Sequence, residues 1–427
     1  MGDGVSTLEA AYSPYVGIVT HVDELLAAPE DSRLTHVVAV GAWGSDELEP
    51  GGAGYAATPA VARAAALGEA IERYAASEQP PQLVLAAADD LANAVEPERF
   101  SLFAPWQLAE PGFPFVPFTR ATRVRWIDGR SLSDGRLVRV PAQLVYLRWA
   151  DLPEDEERIG YATSSGLACG ECFESAALAA LLELVERDAF LVAWRARLSL
   201  PRLAATDDHD LVAWERRYLT GSRLRHAVVD LSPVNGVPTA LAVVRDTAGS
   251  LAVGASSAAE ARSAYRKALA EAYAAHGAAR RLRRAAAGAS AGREVSEVTT
   301  FADHIRLYAN PANAARAEFL TAARESIPIG AIRPLRGTRP HEVLQSLVDL
   351  LAHTGIEAYV VDITPIDVAS LGLTVVRAVA PELCPIDVRQ DACFLGVPRL
   401  RRAPAVLGFH GRALELDELN RDPHPFP

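Results

Sequence analysis

Two segments of the chain share the spacing Glu-x-x-Glu-Arg, and a third segment carries a weaker copy. The residues concerned are Glu69, Glu72 and Arg73 in the first segment, Glu183, Glu186 and Arg187 in the second, and Glu271 in the third. All three segments are rich in alanine, which favours helices. Glutamates three residues apart lie on one face of a helix, where their like charges repel unless a positive charge lies between them.

The second copy lies within strongly apolar sequence, since residues 176–182 and 189–194 contain no charged side chain. Glu183 and Glu186 are therefore expected in or beside a buried surface. A buried carboxylate is very costly unless neighbouring arginines or a metal ion neutralise it. Carboxylates that converge from several helices suit Mg²⁺, which prefers oxygen ligands and often also binds phosphates. One copy alone is typical of a salt-bridged helix, but the repetition favours a metal site.

The chain contains no phosphate-binding loop of the form Gly-x-x-x-x-Gly-Lys-Ser/Thr. Any nucleotide at the glutamates would therefore be held by metal and arginine.

The sequence ends with prolines at alternate positions, Pro423, Pro425 and Pro427, separated by His424 and Phe426. Proline fixes its own φ and restricts the residue before it, so this pattern predicts a stiff, extended segment. Stiffness indicates that the segment, including the carboxylate of Pro427, is delivered to a fixed place. The alternative is a disordered tail that happens to be rich in proline.

Composition restricts the partners and the compartment. The 54 acidic residues outnumber the 42 basic ones and give a net charge of −12, which argues against nucleic acid as the main partner. The N-terminus lacks the basic and apolar regions of an export signal, which predicts a cytoplasmic protein. Residues 175–194 are long enough to cross a membrane, but their central charges argue against a membrane span.

The four cysteines are Cys169, Cys172, Cys384 and Cys393. The first two form a Cys-x-x-Cys motif, which could hold zinc or act in thiol redox chemistry. No second such motif and no suitably spaced histidine completes a compact site. Ordinary reduced cysteines are therefore the preferred interpretation.

Strand-like runs alternate with alanine-rich helices along the chain, which predicts a mixed α/β protein. Expected strands are 36–43, three short strands within 225–254 and two within 355–379. Hairpins are expected within 124–147, with turns at Asp128-Gly129 and Asp134-Gly135. Helices are expected over 59–77, 175–197 and 257–287, and a glycine-rich turn at 51–54. No low-complexity linker divides the chain, so one interlocked unit is expected.

Four segments together resemble the YcaO superfamily, and specifically its azoline-forming cyclodehydratases. They are GEAIERYAA at 68–76, TSSGLACGECFESAALAALLELVERDAF at 163–190, GLTVVRAVAPEL at 372–383 and PHPFP at 423–427. The resemblance implies a mixed α/β fold in which carboxylate-bearing helices pack on β-sheets around a nucleotide site. The implied organisation is a short N-terminal segment, 1–40, and a catalytic domain, 41–427, that ends in the proline-rich tail.

The resemblance implies an ATP-dependent reaction with ATP and Mg²⁺ as cofactors. A Cys, Ser or Thr side chain of a ribosomally made precursor peptide attacks the preceding backbone carbonyl, and ATP phosphorylates the oxygen. Loss of phosphate leaves a thiazoline or oxazoline. Phosphorylation is needed because an amide oxygen is a poor leaving group, so the protein mainly positions the reactants and stabilises charge.

The resemblance also implies roles for individual residues. Those implied to bind Mg²⁺ and the phosphates are Glu69, Glu72, Glu183 and Glu186, with Glu271 as a weaker candidate. Further implied nucleotide contacts are Arg73 and Arg187, which are alternatively ion-pair partners of their glutamates, and Arg197 and Arg266. Pro423, Pro425 and Pro427 are implied to enter the active site, where the carboxylate of Pro427 would assist proton transfer.

Three positions depart from the pattern of many relatives. Ala65 stands where a serine is common, Ser165 stands where an asparagine is common, and Ala53 stands where the glycine-rich turn often has a lysine. These departures leave open an altered or partner-dependent use of ATP.

The resemblance implies partners as well. The 35–45 residues before the first catalytic strand are too few for a leader-binding domain, so a separate E1-like or leader-binding protein is expected. A homodimer and a flavin-dependent dehydrogenase are further expectations, with thiazole/oxazole-modified microcins, bacteriocins or related antibiotics as products. The alternatives are a YcaO enzyme that forms thioamides or macroamidines, and a non-catalytic scaffold whose tail only docks.

Overall fold

The computed structural model describes the chain except for residues 1–6, 29–30, 42–50, 78, 81, 148–152, 286–294 and 427. The strands are β1 Val19–Leu25, β2 Thr35–Gly41, β3 Gly52–Ala56, β4 Val84–Ala86, β5 Val124–Ser131, β6 Leu137–Pro141, β7 Leu167–Gly170, β8 Arg202–Ala204, β9 Arg225–Asp230, β10 Thr239–Arg245, β11 Leu251–Ser257, β12 Ser326–Pro328, β13 Tyr359–Asp362 and β14 Thr374–Val379. The α-helices are α1 Pro59–Ser77, α2 Pro105–Leu108, α3 Phe173–Arg195, α4 His209–Tyr218, α5 Ala261–Ala285, α6 Phe301–Ala309, α7 Pro311–Ala314, α8 Pro340–His353, α9 Ile366–Ser370 and α10 Pro398–Val406.

The strands form three sheets, and each sheet is covered by one of the helices that carry the glutamates. The first sheet has the order β1-β2-β3, the second β11-β10-β9-β8-β12, and the third β4-β5-β13-β14-β7 with β6 beside β5. Helix α1 packs on β3 and β2, α5 packs on β11 and β10, and α3 packs on β14 and β7 and also reaches β11. The mixed α/β prediction is confirmed, and the boundary expected at residue 40 falls inside β2.

The glycine-rich segment predicted as a turn is instead strand β3, and its glycines permit a close approach of α1. A Cβ atom on Gly54 would lie 1.8 Å from the carbonyl oxygen of Ala62, and one on Gly52 would lie 2.2 Å from that of Ala66. Only glycine on the strand and alanine on the helix allow this spacing. The close contact brings the helix backbone, and therefore the first glutamate motif, directly onto the sheet.

The other sequence-based elements are largely confirmed, with two corrections. Asp128-Gly129 is not a turn, because β5 runs through it while pairing with β6 on one side and β13 on the other. The helix expected from residue 257 begins at Ala261, because Ser257 still pairs in β11. The ends of the predicted 36–43 strand and 257–287 helix lie outside the described residues. No helix in the described ranges is both long and apolar enough to cross a membrane.

The segment 420–426 belongs to no helix or strand and is buried from Pro423 to Phe426, packed against α3 and α6. The hydroxyl of Tyr308 donates to the carbonyl of Pro423 at 2.6 Å. Pro423 and Pro425 have no N–H group, so they remove two donors that a buried segment outside any sheet would have to satisfy. Alternating prolines therefore suit burial as well as stiffness.

A buried ion pair holds the start of this segment. Arg195 Nη2, at the end of α3, donates to both carboxylate oxygens of Asp387 at 2.9 and 2.7 Å, and both side chains are almost completely buried. Arg195 Nη1 also donates to the carbonyl of Asn420 at 2.8 Å. The pair thus joins α3 to the tail.

His424 holds the end of the segment as a neutral imidazole. Its Nε2 donates to the carbonyl of Asp387 at 2.6 Å, and its Nδ1 accepts the N–H of Phe426 at 3.2 Å. The ring stacks on His304, with 4.0 Å between the ring centroids. Burial is the main reason that the pKa of His424 lies well below its ordinary value, and the charges of His304, Arg195 and nearby groups lower it further.

We predict that Asp387→Asn strongly destabilises the protein, because it leaves the buried Arg195 charge uncompensated. The expected loss is about 3 kcal/mol or more in the free energy of unfolding, measured by urea denaturation. Glu96→Gln is the control, since it breaks an exposed ion pair with Arg120 and should leave the urea midpoint unchanged. Equal midpoints for both variants would contradict the importance of the buried pair.

We also predict that buried His424 makes a contribution to stability that is lost as the pH drops below about 6.5, because the unfolded chain then binds a proton that His424 in the folded protein does not. The raised pKa values of Glu72 and Glu186 act in the opposite direction over the same range, so a variant is needed to isolate the contribution of His424. His424→Gln can still donate to the Asp387 carbonyl but cannot titrate. The change in melting temperature from pH 5.5 to pH 7.5 should therefore be less positive in this variant than in the wild type, and an identical change would refute the assignment.

Candidate active site

Helices α1, α3 and α5 place five glutamates of the repeated motif close enough together that their charges affect one another's pKa values. The glutamates are Glu69 and Glu72 on α1, Glu183 and Glu186 on α3, and Glu271 on α5. The charge of Glu183 raises the pKa of Glu72, of Glu186 and of Glu271, so the three helices point their carboxylates toward one region. The convergence expected from the sequence is therefore present.

The first motif is held against two neighbouring strands. Glu69 accepts the backbone N–H of Ala53 in β3 at 2.6 Å and is paired with Arg73 Nη2 at 2.7 Å. Glu72 accepts the backbone N–H of Cys169 in β7 at 2.8 Å. Burial raises the pKa of Glu72 well above its usual value, and the charges of Glu183 and Glu69 add to this shift.

The second motif is centred on Arg187. Its Nη2 lies 3.0 Å from Glu183 and its Nη1 lies 2.7 Å from Glu186. The backbone N–H groups of Gly166 and Ser257 donate to these glutamates at 3.3 and 3.1 Å. Burial raises the pKa of Glu186 to about 8, although the charge of Arg187 lowers it. Both motif arginines are thus ion-pair partners of their own glutamates.

The third copy has a different counter-charge. Glu271 lies 3.7 Å from the ammonium group of Lys267, one helical turn earlier on α5. Burial raises the pKa of Glu271, and Lys267 and Arg187 oppose this shift. Lys267 is the only lysine of the chain. The position of this unique lysine, four residues before a motif glutamate, could have predicted the ion pair from the sequence. The sequence analysis did not use this signal.

The carboxylates fit a Mg²⁺ ion that is shared with phosphates better than an all-protein metal cage. In the ranges that the structure describes, no group of three or more His, Cys, Asp or Glu side chains is arranged to hold a metal alone. Burial raises the pKa values of Glu72 and Glu186, so a divalent cation beside them would favour their ionised forms. Mg²⁺ commonly binds through one or two carboxylates and completes its shell with phosphate oxygens and water.

Of the two further arginines predicted as nucleotide contacts, Arg197 lies away from the glutamates. It is exposed and contacts Asn420 and Asp422 at 3.0 and 3.2 Å, so it faces the start of the tail. It follows Glu186 by eleven residues, which corresponds to about 16 Å along a helix. The Nε of Arg266 is buried on α5 without a hydrogen-bond partner among the described residues, and its contact with a nucleotide stays a prediction.

The tail reaches the glutamate cluster through Phe426. The guanidinium carbon of Arg187 lies 4.2 Å from the centroid of the Phe426 ring, and the ring also packs on Phe190 at a centroid distance of 4.9 Å. Pro423 and Pro425 are buried behind it, and Pro427 lies outside the described residues. Among the described tail residues, Phe426 thus contacts a residue of the glutamate motifs, Arg187, and the sequence analysis did not single it out.

A comparison with solved structures finds the same fold in several heterocyclases. A heterocyclase in complex with substrate and cofactor has a TM-score of 0.79 at 21% identity, covering 99% of this chain and 57% of that chain. YcaO from Methanopyrus kandleri, bound with AMPPCP and Mg²⁺, has a TM-score of 0.63 at 20% identity, covering 88% and 89%. The E. coli microcin synthetase McbBCD complex with pro-MccB17 bound gives 0.60 at 13% identity, covering 95% and 96%.

Sequence comparison gives the family. An uncharacterized protein of Methanothermobacter thermautotrophicus is 29% identical over 198 residues, which are 46% of this chain and 48% of the relative, so the chain spans about half the length of the relative that it matches. The model of the YcaO cyclodehydratases, described as ATP- and Mg²⁺-binding, matches residues 53–384. It confirms the prediction of ATP and Mg²⁺ as cofactors. Because this match covers well over half of the 427 residues, the chain belongs to the YcaO family.

Proposed function

We propose that this protein is an ATP-dependent cyclodehydratase that converts Cys, Ser or Thr residues of a ribosomally made precursor peptide into thiazolines or oxazolines. Family membership supports an ATP-dependent cyclodehydratase. The observation that carries the finer proposal is the contact of Phe426 with Arg187. It joins the proline-rich tail to the glutamate cluster. The tail is one of the four segments that resemble the azoline-forming cyclodehydratases.

The motif glutamates are proposed to hold the nucleotide. Glu69, Glu72, Glu183 and Glu186 would supply carboxylates to Mg²⁺ and, through it, bind the phosphates, with Glu271 at the edge of the group. Mg-ATP supplies the phosphoryl group that makes the amide oxygen a leaving group. Arg73 and Arg187 would keep the carboxylates oriented.

Two of the three departures from the family pattern, those at positions 53 and 165, are compatible with nucleotide binding. Ala53 contributes its backbone N–H to Glu69, and this contact needs no lysine side chain. Gly166, directly after Ser165, likewise contributes its backbone N–H to Glu183. Backbone N–H groups at positions 53 and 166 thus bind the motif glutamates without a contribution from the side chains at positions 53 and 165.

The tail is proposed to form one wall of the active site. Phe426 covers the guanidinium face of Arg187 and excludes water from it, which strengthens the ion pairs to Glu183 and Glu186. The catalytic roles predicted for Pro423, Pro425 and Pro427 are retained as proposals. The burial of the first two prolines supports a rigid positioning of whatever follows them.

The substrate is proposed to be delivered by a separate E1-like or leader-binding protein. The microcin synthetase structure with pro-MccB17 bound is a multiprotein complex with the same fold in one component, which supports this arrangement. Thioamide formation replaces an oxygen by a sulfur and raises the mass of the peptide. Macroamidine formation releases one water, as azoline formation does, so it is distinguished by whether the mass loss requires the Cys, Ser or Thr side chain. A non-catalytic scaffold would give no ATP turnover with partner and peptide. Intact mass of the peptide, its dependence on that side chain, and ADP release therefore separate these possibilities.

We predict that Glu72→Gln abolishes the stabilisation of the protein by Mg²⁺ and AMPPCP while the unliganded variant is at least as stable as the wild type. Gln can accept the Cys169 N–H, and it removes a carboxylate whose ionised form is costly in the fold. Thermal unfolding with and without Mg-AMPPCP measures both effects. Ring formation should fall about a hundredfold or more.

Glu357→Gln is the matched control for this experiment. Glu357 is also partly buried and pairs with Arg99 at 3.1 Å, away from the cluster. Its loss should lower the melting temperature of the unliganded protein but leave the shift caused by Mg-AMPPCP intact. A wild-type ligand shift in Glu72→Gln would contradict the proposed role of that residue.

We predict that Phe426→Leu lowers the rate of ring formation about tenfold, because it keeps apolar volume but loses the contact between the aromatic ring and Arg187. Phe426→Ala should lower the rate further. The control is Phe113→Leu, an aromatic-to-aliphatic change in the same core. Rates are measured with partner, precursor peptide and Mg-ATP by intact mass, and an unchanged rate for Phe426→Leu would remove the tail from the proposed mechanism.

A further inference from the structure

A narrow apolar cleft opens beside the second glutamate motif. It lies between the loop 161–166 and the segment 377–385, which continues from β14. Its apolar walls include Phe100, Leu102, Leu144, Leu184, Val379 and Phe394. Leu184 directly follows Glu183 on α3, so the cleft adjoins the carboxylate cluster.

One charged side chain, Arg377, lines this cleft. The residue is only 6% exposed. Its Nη1 donates to the carbonyl of Thr163 at 2.7 Å, while its Nε has no hydrogen-bond partner among the described residues. No ion pair with Arg377 is present within the same ranges. Burial lowers the pKa of Arg377 to about 10, and the charge of Glu183 opposes this shift.

The loop that forms the floor of the cleft touches both groups. The carbonyl of Thr163 accepts from Arg377, and three residues later the N–H of Gly166 donates to Glu183 at 3.3 Å. A ligand held by Arg377 would therefore lie next to the carboxylates proposed to bind Mg²⁺ and the phosphates. A buried guanidinium with an unsatisfied donor is costly unless a ligand supplies an acceptor.

The lining distinguishes between two kinds of acceptor. A phosphate carries several charged oxygens and is normally bound by several donors or cations. This cleft offers a single cation and is otherwise largely apolar. A peptide segment matches it better, because it combines one neutral carbonyl oxygen with an apolar side chain.

We infer that this cleft binds the segment of the precursor peptide on the amino-terminal side of the reacting residue, with Arg377 donating a hydrogen bond to a backbone carbonyl of that segment. The apolar walls receive the side chain of the preceding residue, so the enzyme favours an apolar residue there. This inference rests on the proposed function and adds a specificity determinant to it.

The test uses the full-length protein and short synthetic peptides that contain Val-Cys or Asp-Cys. Fluorescence anisotropy measures binding of each labelled peptide without ATP, and ring formation with partner and Mg-ATP gives KM and kcat. The wild type should bind the Val-Cys peptide at least about tenfold more tightly than the Asp-Cys peptide. Arg377→Met should weaken binding of the Val-Cys peptide, and raise its KM, about tenfold or more. The Kd of Mg-AMPPCP should stay within about twofold of the wild-type value.

Two further variants keep the test informative. Arg377→Lys retains the charge and should recover part of the lost peptide affinity. Ala162→Leu narrows the cleft from its partly exposed side, without touching the buried arginine, and should also weaken binding of the Val-Cys peptide. If Arg377→Met does not fold, Ala162→Leu decides the question alone.

The outcomes separate the two proposals. Weaker nucleotide binding with unchanged peptide binding in Arg377→Met would make the cleft a phosphate site and overturn the inference. Unchanged peptide binding in both Arg377→Met and Ala162→Leu would overturn it as well. Peptide binding that depends on Arg377, in a protein that forms no rings with any partner, would support the cleft and refute the proposed reaction.

Discussion

The arrangement of the candidate active site depends on the buried guanidinium group of Arg187. Helix α3 carries two glutamates one turn apart between apolar stretches, and their charges would repel each other and resist burial. Arg187 pairs with both of them, and its free face is covered by Phe426. The same group therefore makes the carboxylate pair tolerable inside the protein and gives the tail a place to dock.

Burial of the tail requires hydrogen-bond donors in the core for its backbone carbonyl groups. A buried segment that pairs with no strand must have its carbonyl groups satisfied by side chains, and the described residues supply Tyr308 and Arg195 for this purpose. Arg195 then needs a buried counter-charge, which Asp387 provides. The tail, the end of α3 and the segment around Asp387 thus form one connected set of interactions, in which prolines reduce the number of donors to be satisfied.

The sequence predicted those parts of the structure whose signals are local. The motif helices, the glutamates on their faces and the three strands β9 to β11 follow from periodicity and turn residues. The partners of these groups follow from contacts over long sequence separations, such as Arg195 with Asp387 and Arg187 with Phe426, and no local pattern reveals them. The strand at Gly52 and Gly54 was mistaken for a turn because glycine serves both turns and close backbone contacts, and only the packing of α1 distinguishes the two.

The repeated motif is also less uniform than its sequence suggests. Arg187 pairs with both glutamates of its own copy, while the hydrogen bond to Glu72 comes from a backbone N–H, and Glu271 lies near a largely exposed lysine. Burial leaves the pKa values of Glu72 and Glu271 raised despite the neighbouring cations. Burial raises the pKa of Glu186 on α3 as well, because Arg187 supplies one positive charge to two glutamates. A divalent cation would therefore favour the ionised forms of buried carboxylates on all three helices.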